Sequence, residues 1–329
     1  VACPYHPFKW LPVLLIIAII TWSYYAYVIQ LCICNTVQQC FYLIFYHLIF
    51  IMFCWSYWRT IFADVRPIPE KFKLPQVEVE KLLSAEGEDA QRMILENYAK
   101  ELPIVTRTMS GSVRYCNRCV MVKPDRAHHC SICAKCVLKM DHHCPWVNNC
   151  VCFHNYKYFM LFLGYALVYC IFIMGTSMPY FIKFWKVSGD FGSGGAGRYH
   201  IVFAFCVALM FGISLGSLFS YHCYLVAHNR TTLESFRPPM FRGGPDKHGF
   251  SLGTYNNFKE VFGKYTFYLK TLFVRLLRGV LNGSSTQLFL PAVKRMDDSK
   301  YHYVILIQFF KSSFHLTRLS LTLTLANCY

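Results

Sequence analysis

The chain has 329 residues, of which 55% are hydrophobic and only 15% charged, against about 25% charged in ordinary globular domains. A chain this apolar needs a bilayer or an exceptionally large core, which excludes an ordinary soluble domain. The formal net charge of +16 is spread through the non-membrane parts instead of gathering in one stripe, so it fits anionic lipid or a polyanionic cofactor better than nucleic acid.

Four segments can cross a hydrocarbon core of about 30 Å, which takes about 20 helical residues. They run roughly from Trp10 to Cys34, Cys40 to Phe62, Tyr158 to Phe184 and His200 to Ala227. Trp10, Tyr57, Trp58 and Trp185 stand near span ends as interfacial anchors. The chain begins at Val1, so a preceding N-terminal piece is expected, and the run from Trp10 is too long and aromatic for a signal peptide. The turn from Asn35 to Gln39 has no charge and the loop from Val187 to Tyr199 is mostly Gly and Ser, whereas Lys and Arg recur between Arg59 and Lys157 and again after the fourth span. The positive-inside rule therefore predicts a cytosolic middle segment, C-terminal region and N-terminus.

Pro67, Pro69 and Pro75 read as an extended linker leading into one helix over Val77 to Lys100. No internal repeat is evident. Beyond Gly263, the stretch Tyr265 to Leu281 alternates apolar residues with Lys270, Arg275 and Arg278, as an interfacial helix or a disordered tail would, and Val304 to Phe310 is too short to span. The expected divisions are 1–63 (spans 1 and 2), 64–111 (linker and helix), 112–157 (cysteine-rich domain), 158–227 (spans 3 and 4), 228–263 (C-terminal segment) and 264–329 (tail).

Eight of the seventeen cysteines fall between Cys116 and Cys152. Zinc takes four tetrahedral ligands from thiolate and imidazole, and the Cys116-x2-Cys119 and Cys130-x2-Cys133 turns each aim two sulfurs at one metal. Cys136, Cys144, Cys150, Cys152 and the histidines at 128, 129, 142 and 143 supply further ligands. Two Cys3His sites would use six cysteines and two histidines, leaving two of each over and a choice of which. In an extended segment His142 and Cys144 project together and His143 oppositely. If His143 faces a metal, Asp141, His142 and Cys144 are left as carboxylate, imidazole and thiol, the set that activates a nucleophile.

The pattern from Cys116 to Phe159, Cys-x2-Cys-x9-His-Cys-x2-Cys-x2-Cys-x4-Asp-His-His-Cys-x5-Cys-x4-Asn-x3-Phe, resembles the signature of the DHHC family of protein S-acyltransferases (palmitoyltransferases). Thr231-Thr232-Leu233-Glu234 is similar to that family's TTxE motif and Asn257 to Gly263 to its C-terminal segment; Trp22 to Tyr27 and Met140 to Asn149 are similar to the broad-specificity vertebrate branch. The resemblance covers roughly residues 10 to 263. It implies a polytopic α-helical membrane protein, four transmembrane helices with a cytosolic two-zinc cysteine-rich domain between the second and third. One structural zinc ion would be held by Cys116, Cys119, His129 and Cys136, the other by Cys130, Cys133, His143 and Cys150. Cys144 would be the nucleophile, His142 the general base, Asp141 the orienting carboxylate, with Thr232 near Asp141 and Asn257 in support. Ala127 stands where many relatives have a further cysteine, and Cys152 and His154 occupy positions usually small or polar.

The implied reaction moves a palmitoyl-type chain from long-chain acyl-CoA to Cys144, then to cytosolic cysteines of membrane-associated proteins at the bilayer surface. Trp146, Phe159, Phe162, Tyr169 and Ser23 would line the acyl cavity, and Lys123, Arg126 and His128 would contact CoA phosphates. Thr231 and Glu234 also form a helix capping-box pattern. The expected location is the endomembrane system, the Golgi first, then the plasma membrane or ER. Two glycosylation sequons, at Asn229 and Asn282, would face the cytosol and stay unmodified. A non-catalytic zinc scaffold has no need of the Asp141, His142, Cys144 set, nucleic-acid fingers need a different Cys–His gap, and the spans show no acidic pathway for a channel.

Overall fold

Four helices grow from the four apolar runs, because a helix is the way an isolated segment satisfies its backbone in hydrocarbon. The computed structural model describes residues 7–31, 37–186 and 197–263, all within one compact unit, Val1–Lys270. Helix α1 (Leu11–Tyr24) follows a 3-10 turn at Pro7–Trp10 and continues as a π-helical stretch, Tyr25–Ile29. It therefore ends sooner than the sequence predicts, and Cys32 to Cys34 lie outside the described residues. Helix α2 spans Val37–Ile61. All four candidate spans are long and apolar enough to cross a membrane.

Between α2 and the third span the chain leaves the helical bundle. The single helix expected over Val77 to Lys100 is two, α3 (Gln76–Ser84) and α4 (Glu88–Ala99). The break sits at Gly87, whose φ of +94° is open to glycine and costly for other residues. Glu88 and Asp89 then favour a fresh start by facing the N-terminal end of the α4 dipole. Linker residues Ile68, Phe72 and Leu74 bury themselves with Val113, Met121 and Val122 in a core separate from that of the spans.

Three β-hairpins follow. Strands β1 (Tyr115–Cys116) and β2 (Met121–Val122) pair Tyr115 with Val122; β3 (His128–Cys130) and β4 (Lys135–Val137) pair His129 with Cys136; β5 (His142–Cys144) and β6 (Asn149–Val151) pair His143 with Cys150. Each register is the previous one moved on by 14 residues. The left-handed turn residues keep the same step, Val120, Ala134 and Asn148, with φ of +50°, +51° and +45°. The chain thus contains the internal repeat that inspection of the sequence missed, a tandem of three hairpins in which ligand identity drifts while register holds.

Helix α5 (Tyr156–Lys186) and helix α6 (Gly197–Ala227) complete the spans. Phe159, Phe162, Ala166, Tyr169 and Ile173 recur at helical spacing on the buried face of α5, which packs along both α2 and α6. After α6 come α7 (Thr232–Phe236), a hairpin of β7 (Met240–Phe241) and β8 (Gly244–Pro245), and α8 (Thr254–Phe262). The predicted capping box is present: Thr231 and Glu234 satisfy each other's backbone N–H groups at the start of α7. Asn257 donates to the Ala227 carbonyl at 2.8 Å and accepts from Leu252 N–H at 2.8 Å, tying α8 to the end of α6. The sequence expectations for residues after 263 lie outside the described residues.

Candidate active site

The hairpin tandem gathers two clusters, Cys116, Cys119, His129 with Cys136, and Cys130, Cys133, His143 with Cys150. In each, one hairpin supplies its Cys-x2-Cys turn and the next supplies the cross-strand His and Cys. His129 Nδ1 lies 3.6, 3.2 and 3.9 Å from the three sulfurs of the first cluster. His143 Nδ1 lies 3.7, 3.4 and 3.7 Å from those of the second. Zn–S bonds of about 2.3 Å and Zn–N bonds of about 2.0–2.1 Å at tetrahedral angles put sulfur and nitrogen about 3.6 Å apart, so both donor sets fit a zinc ion. Crowding argues the same way. Burial and then Cys116 and Cys119 push the Cys136 thiol up, and Cys130 and Cys133 push Cys150 up. Without a cation the three sulfurs of a cluster resist ionising together. The clusters fit two structural zinc ions.

The third hairpin stands at the end of the tandem. Its Cys144 occupies the place of Cys116 and Cys130, but Val147 stands where Cys119 and Cys133 do, and after β6 the chain enters α5 instead of a further repeat of the tandem. Cys144 is buried, with 7% of its surface exposed, and belongs to neither cluster. His142 stands two residues before it on β5 and lines the same cavity, and Nδ1 of its ring lies 2.6 Å from Asp141 Oδ2. Asp141 is fully buried; Thr232 donates to it from its backbone N–H at 2.8 Å and its hydroxyl at 2.7 Å. Burial raises the Asp141 carboxyl, but the His142 hydrogen bond and charge, with His222 and the Thr232 N–H, hold it below its ordinary value. Burial likewise lowers His142, and its bonds to Asp141 and Cys144 outweigh that and raise it to about 9.

Local contacts fix this hairpin against the spans. Asn149, on the strand opposite Cys144, donates to the carbonyls of Thr60, Ile61 and Ala63 at the end of α2, at 3.3, 3.0 and 3.0 Å. Tyr57 of α2 donates to the Trp146 carbonyl at 2.8 Å. Buried Asn155 donates to the Cys150 carbonyl and accepts from Cys152 N–H, both at 2.9 Å, joining β6 to the first turn of α5.

Cys144 and His142 open onto an apolar cavity of about 500 Å³ among the spans. Trp146, Phe159, Phe162, Tyr169 and Ser23, all expected here, line it. From Phe159, beside the His142 ring, to Tyr169 is about 15 Å by helical rise. There Tyr169 shares hydrogen bonds with Ser23 at 2.9 Å and Tyr46 at 2.8 Å, a hydroxyl cluster in an otherwise apolar wall.

The expected CoA contacts fare differently. Arg126 is buried, with its guanidinium held by both Glu234 oxygens at 2.8 and 2.7 Å and by Asn229 at 2.8 and 2.9 Å, so it braces the C-terminal segment instead of facing a phosphate. His128 is pushed down to about 4 by burial and by Arg114, so at neutral pH it carries no charge to offer an anion. Lys123 is half-buried. The Asn229 sequon is sealed, since that side chain is buried and bonded to Arg126, Lys139, Phe250 and Glu260; Asn282 lies outside the described residues. Cys152 is fully buried, 4.0 Å from His154 Nδ1.

Sequence reasoning missed His222, which is 2% exposed near the end of α6. One of its ring nitrogens shares a space under 4.8 Å across with an Asp141 oxygen and a His142 nitrogen. An ionisable residue within a span is a signal that could have found it.

A family model described as DHHC palmitoyltransferase matches residues 109–238. The chain is 53% identical over 257 residues to palmitoyltransferase ZDHHC2 of Danio rerio, covering 77% of this chain and 70% of that protein. It is 52% identical over 257 residues to palmitoyltransferase ZDHHC2 of Homo sapiens, covering 77% and 69%. To palmitoyltransferase ZDHHC15 of Xenopus laevis it is 49% identical over 265 residues, covering 80% and 78%.

Proposed function

This chain belongs to the DHHC family of palmitoyltransferases, a multi-pass membrane acyltransferase with two Cys3His zinc clusters, and on that premise we propose that Cys144 carries the acyl group. The observation that supports this most is the position of Cys144, outside both clusters and beside His142 at the wall of the apolar cavity.

The Cys144 proton rests on His142, at the ring nitrogen that Asp141 leaves free, because the Asp141 carboxylate and the Cys144 sulfur hold that imidazole in its charged form. The thiolate attacks the thioester carbonyl of acyl-CoA, the bond to the CoA sulfur breaks, and the departing thiolate takes the proton back from His142. In the second half a substrate cysteine gives its proton to His142 and attacks the acyl carbonyl. The bond to Cys144 breaks, and its sulfur is reprotonated. One thioester replaces another each time, so positioning and proton transfer are what the enzyme must supply. Asp141 fixes the tautomer and stabilises the imidazolium, and Thr232 fixes Asp141. Bound by Cys116, Cys119, His129 and Cys136 and by Cys130, Cys133, His143 and Cys150, two zinc ions would cross-link the hairpins that present Cys144.

The acyl chain lies in the cavity with its thioester at Cys144, each buried methylene contributing about 0.8 kcal/mol. Lys123 is the remaining candidate for a CoA phosphate contact. The cysteine-rich unit 112–157 faces the cytosol, the Golgi is the expected membrane, and the substrates are membrane-associated proteins with cytosolic cysteines. Purified protein given labelled palmitoyl-CoA should acquire hydroxylamine-sensitive label, and Cys144→Ser should acquire none while keeping its zinc. A wild type that holds two zinc ions and takes up no label would refute the assignment.

A further inference from the structure

We infer that Tyr156 and His222 form a positioning pair for the His142 base: the Tyr156 hydroxyl orients the His222 ring, and that ring holds the His142 imidazole between Asp141 and Cys144. The inference rests on the assignment of Cys144 and His142 made above.

The two residues come from different spans, Tyr156 from the first turn of α5 and His222 from near the end of α6. The Tyr156 hydroxyl and His222 Nδ1 are hydrogen-bonded at 2.9 Å. His222 is 2% exposed, so this bond is shielded from competing water. Its ring centroid stands 6.0 Å from that of His142. Phe159 completes the group, meeting His142 edge-on at 5.5 Å and His222 edge-on at 5.1 Å. A ring held by two aromatic neighbours and a carboxylate has little freedom to turn. A cysteine–imidazole contact needs that restraint, because rotation of His142 would withdraw its free nitrogen from the sulfur.

Neither Tyr156 nor His222 lines the acyl cavity, whereas His142, Cys144 and Phe159 do. The pair therefore acts through His142 and not on the acyl chain. A buried imidazole at the end of a membrane helix is costly to place and needs a partner; one partner is Tyr156, and the Asp141–His142 pair gives it a reason to be there.

The test uses the full chain in detergent or nanodiscs, with palmitoyl-CoA as acyl donor, and compares Tyr156→Phe, His222→Phe and the double variant. Each single change should slow acylation at saturating palmitoyl-CoA about 10-fold, as small misplacements at a reacting centre do. The double variant should be no slower than the slower single one, since both delete the same contact. The KM for palmitoyl-CoA should be unchanged, and two zinc ions should remain. His222→Asn, whose amide oxygen can accept from Tyr156, should recover part of the rate when Tyr156 is present and none with Tyr156→Phe. A Tyr156→Phe variant as fast as wild type, or one altered in KM alone, would overturn the inference. That variant deletes one oxygen and decides the matter even if His222→Phe does not fold. Cys144→Ser run alongside separates the two readings: its loss of label upholds the nucleophile whatever His222 does.

Discussion

Thr232 donates twice to Asp141, from its backbone N–H at 2.8 Å and from its hydroxyl at 2.7 Å, across 91 residues of chain. The carboxylate bonded to His142 is thus itself held from the C-terminal segment, at the first turn of α7.

Thr232→Val keeps the shape and the backbone donor but removes the hydroxyl. A hydrogen bond to a charged group contributes about 1.5–3 kcal/mol, so acylation by this variant should fall about 10-fold or more. Its zinc content should stay near wild type, and its melting temperature should fall by only a few degrees. Single-turnover acylation measures it.

Arg126 and Glu234 form a buried pair at 2.7 Å, with side chains 9% and 6% exposed. Removing one partner of such a pair costs about 3–5 kcal/mol, because the other is left charged and dry. Glu234→Leu should therefore lower the melting temperature sharply, and Arg126→Leu in the same chain should restore part of the loss.

The two clusters are linked by the hairpin tandem but differ in what they support. His129→Ala should reduce bound zinc from two ions toward one, leaving the ligands of the second site intact. Cys150→Ala should remove the second ion and stop acylation, because Cys150 pairs across from His143 in the hairpin that carries Cys144. Metal analysis of purified variants, paired with acylation, separates the two.

Ala166 lies on α5 between Phe162 and Tyr169 and faces the cavity. Ala166→Phe should obstruct a sixteen-carbon chain while sparing a short one. The ratio of acylation by octanoyl-CoA to that by palmitoyl-CoA should rise; an unchanged ratio would mean that the chain lies elsewhere.

The spans were legible because apolar length is local chemistry. The Cys-x2-Cys turns pointed to zinc but left the choice of ligands open; both ligand sets and the link from Asp141 to Thr232, which crosses 91 residues, were implied by the resemblance to the DHHC family. The hairpin repeat was not legible, because its register repeats every 14 residues while its ligands shift, so Tyr115 and Val122 stand where His143 and Cys150 later do. Arg126 looked like an anion contact because a basic loop and a buried brace carry the same residue; Glu234, 108 positions away, decides between them. His128 and His142 show the same limit. They occupy equivalent places in successive hairpins, yet burial and Arg114 push one down to about 4 while Asp141 and Cys144 overcome burial and raise the other to about 9. Where His142 has Asp141 before it, His128 has Ala127.

The central claim is that zinc holds the hairpins and leaves Cys144 free to react. Peptide mapping of protein quenched during turnover with palmitoyl-CoA, alongside zinc analysis of the same sample, tests it most directly. The account predicts a palmitoyl thioester on Cys144 with two zinc ions still bound. An acyl group on Cys152 or on a cluster cysteine, or zinc lost in step with acylation, would contradict it.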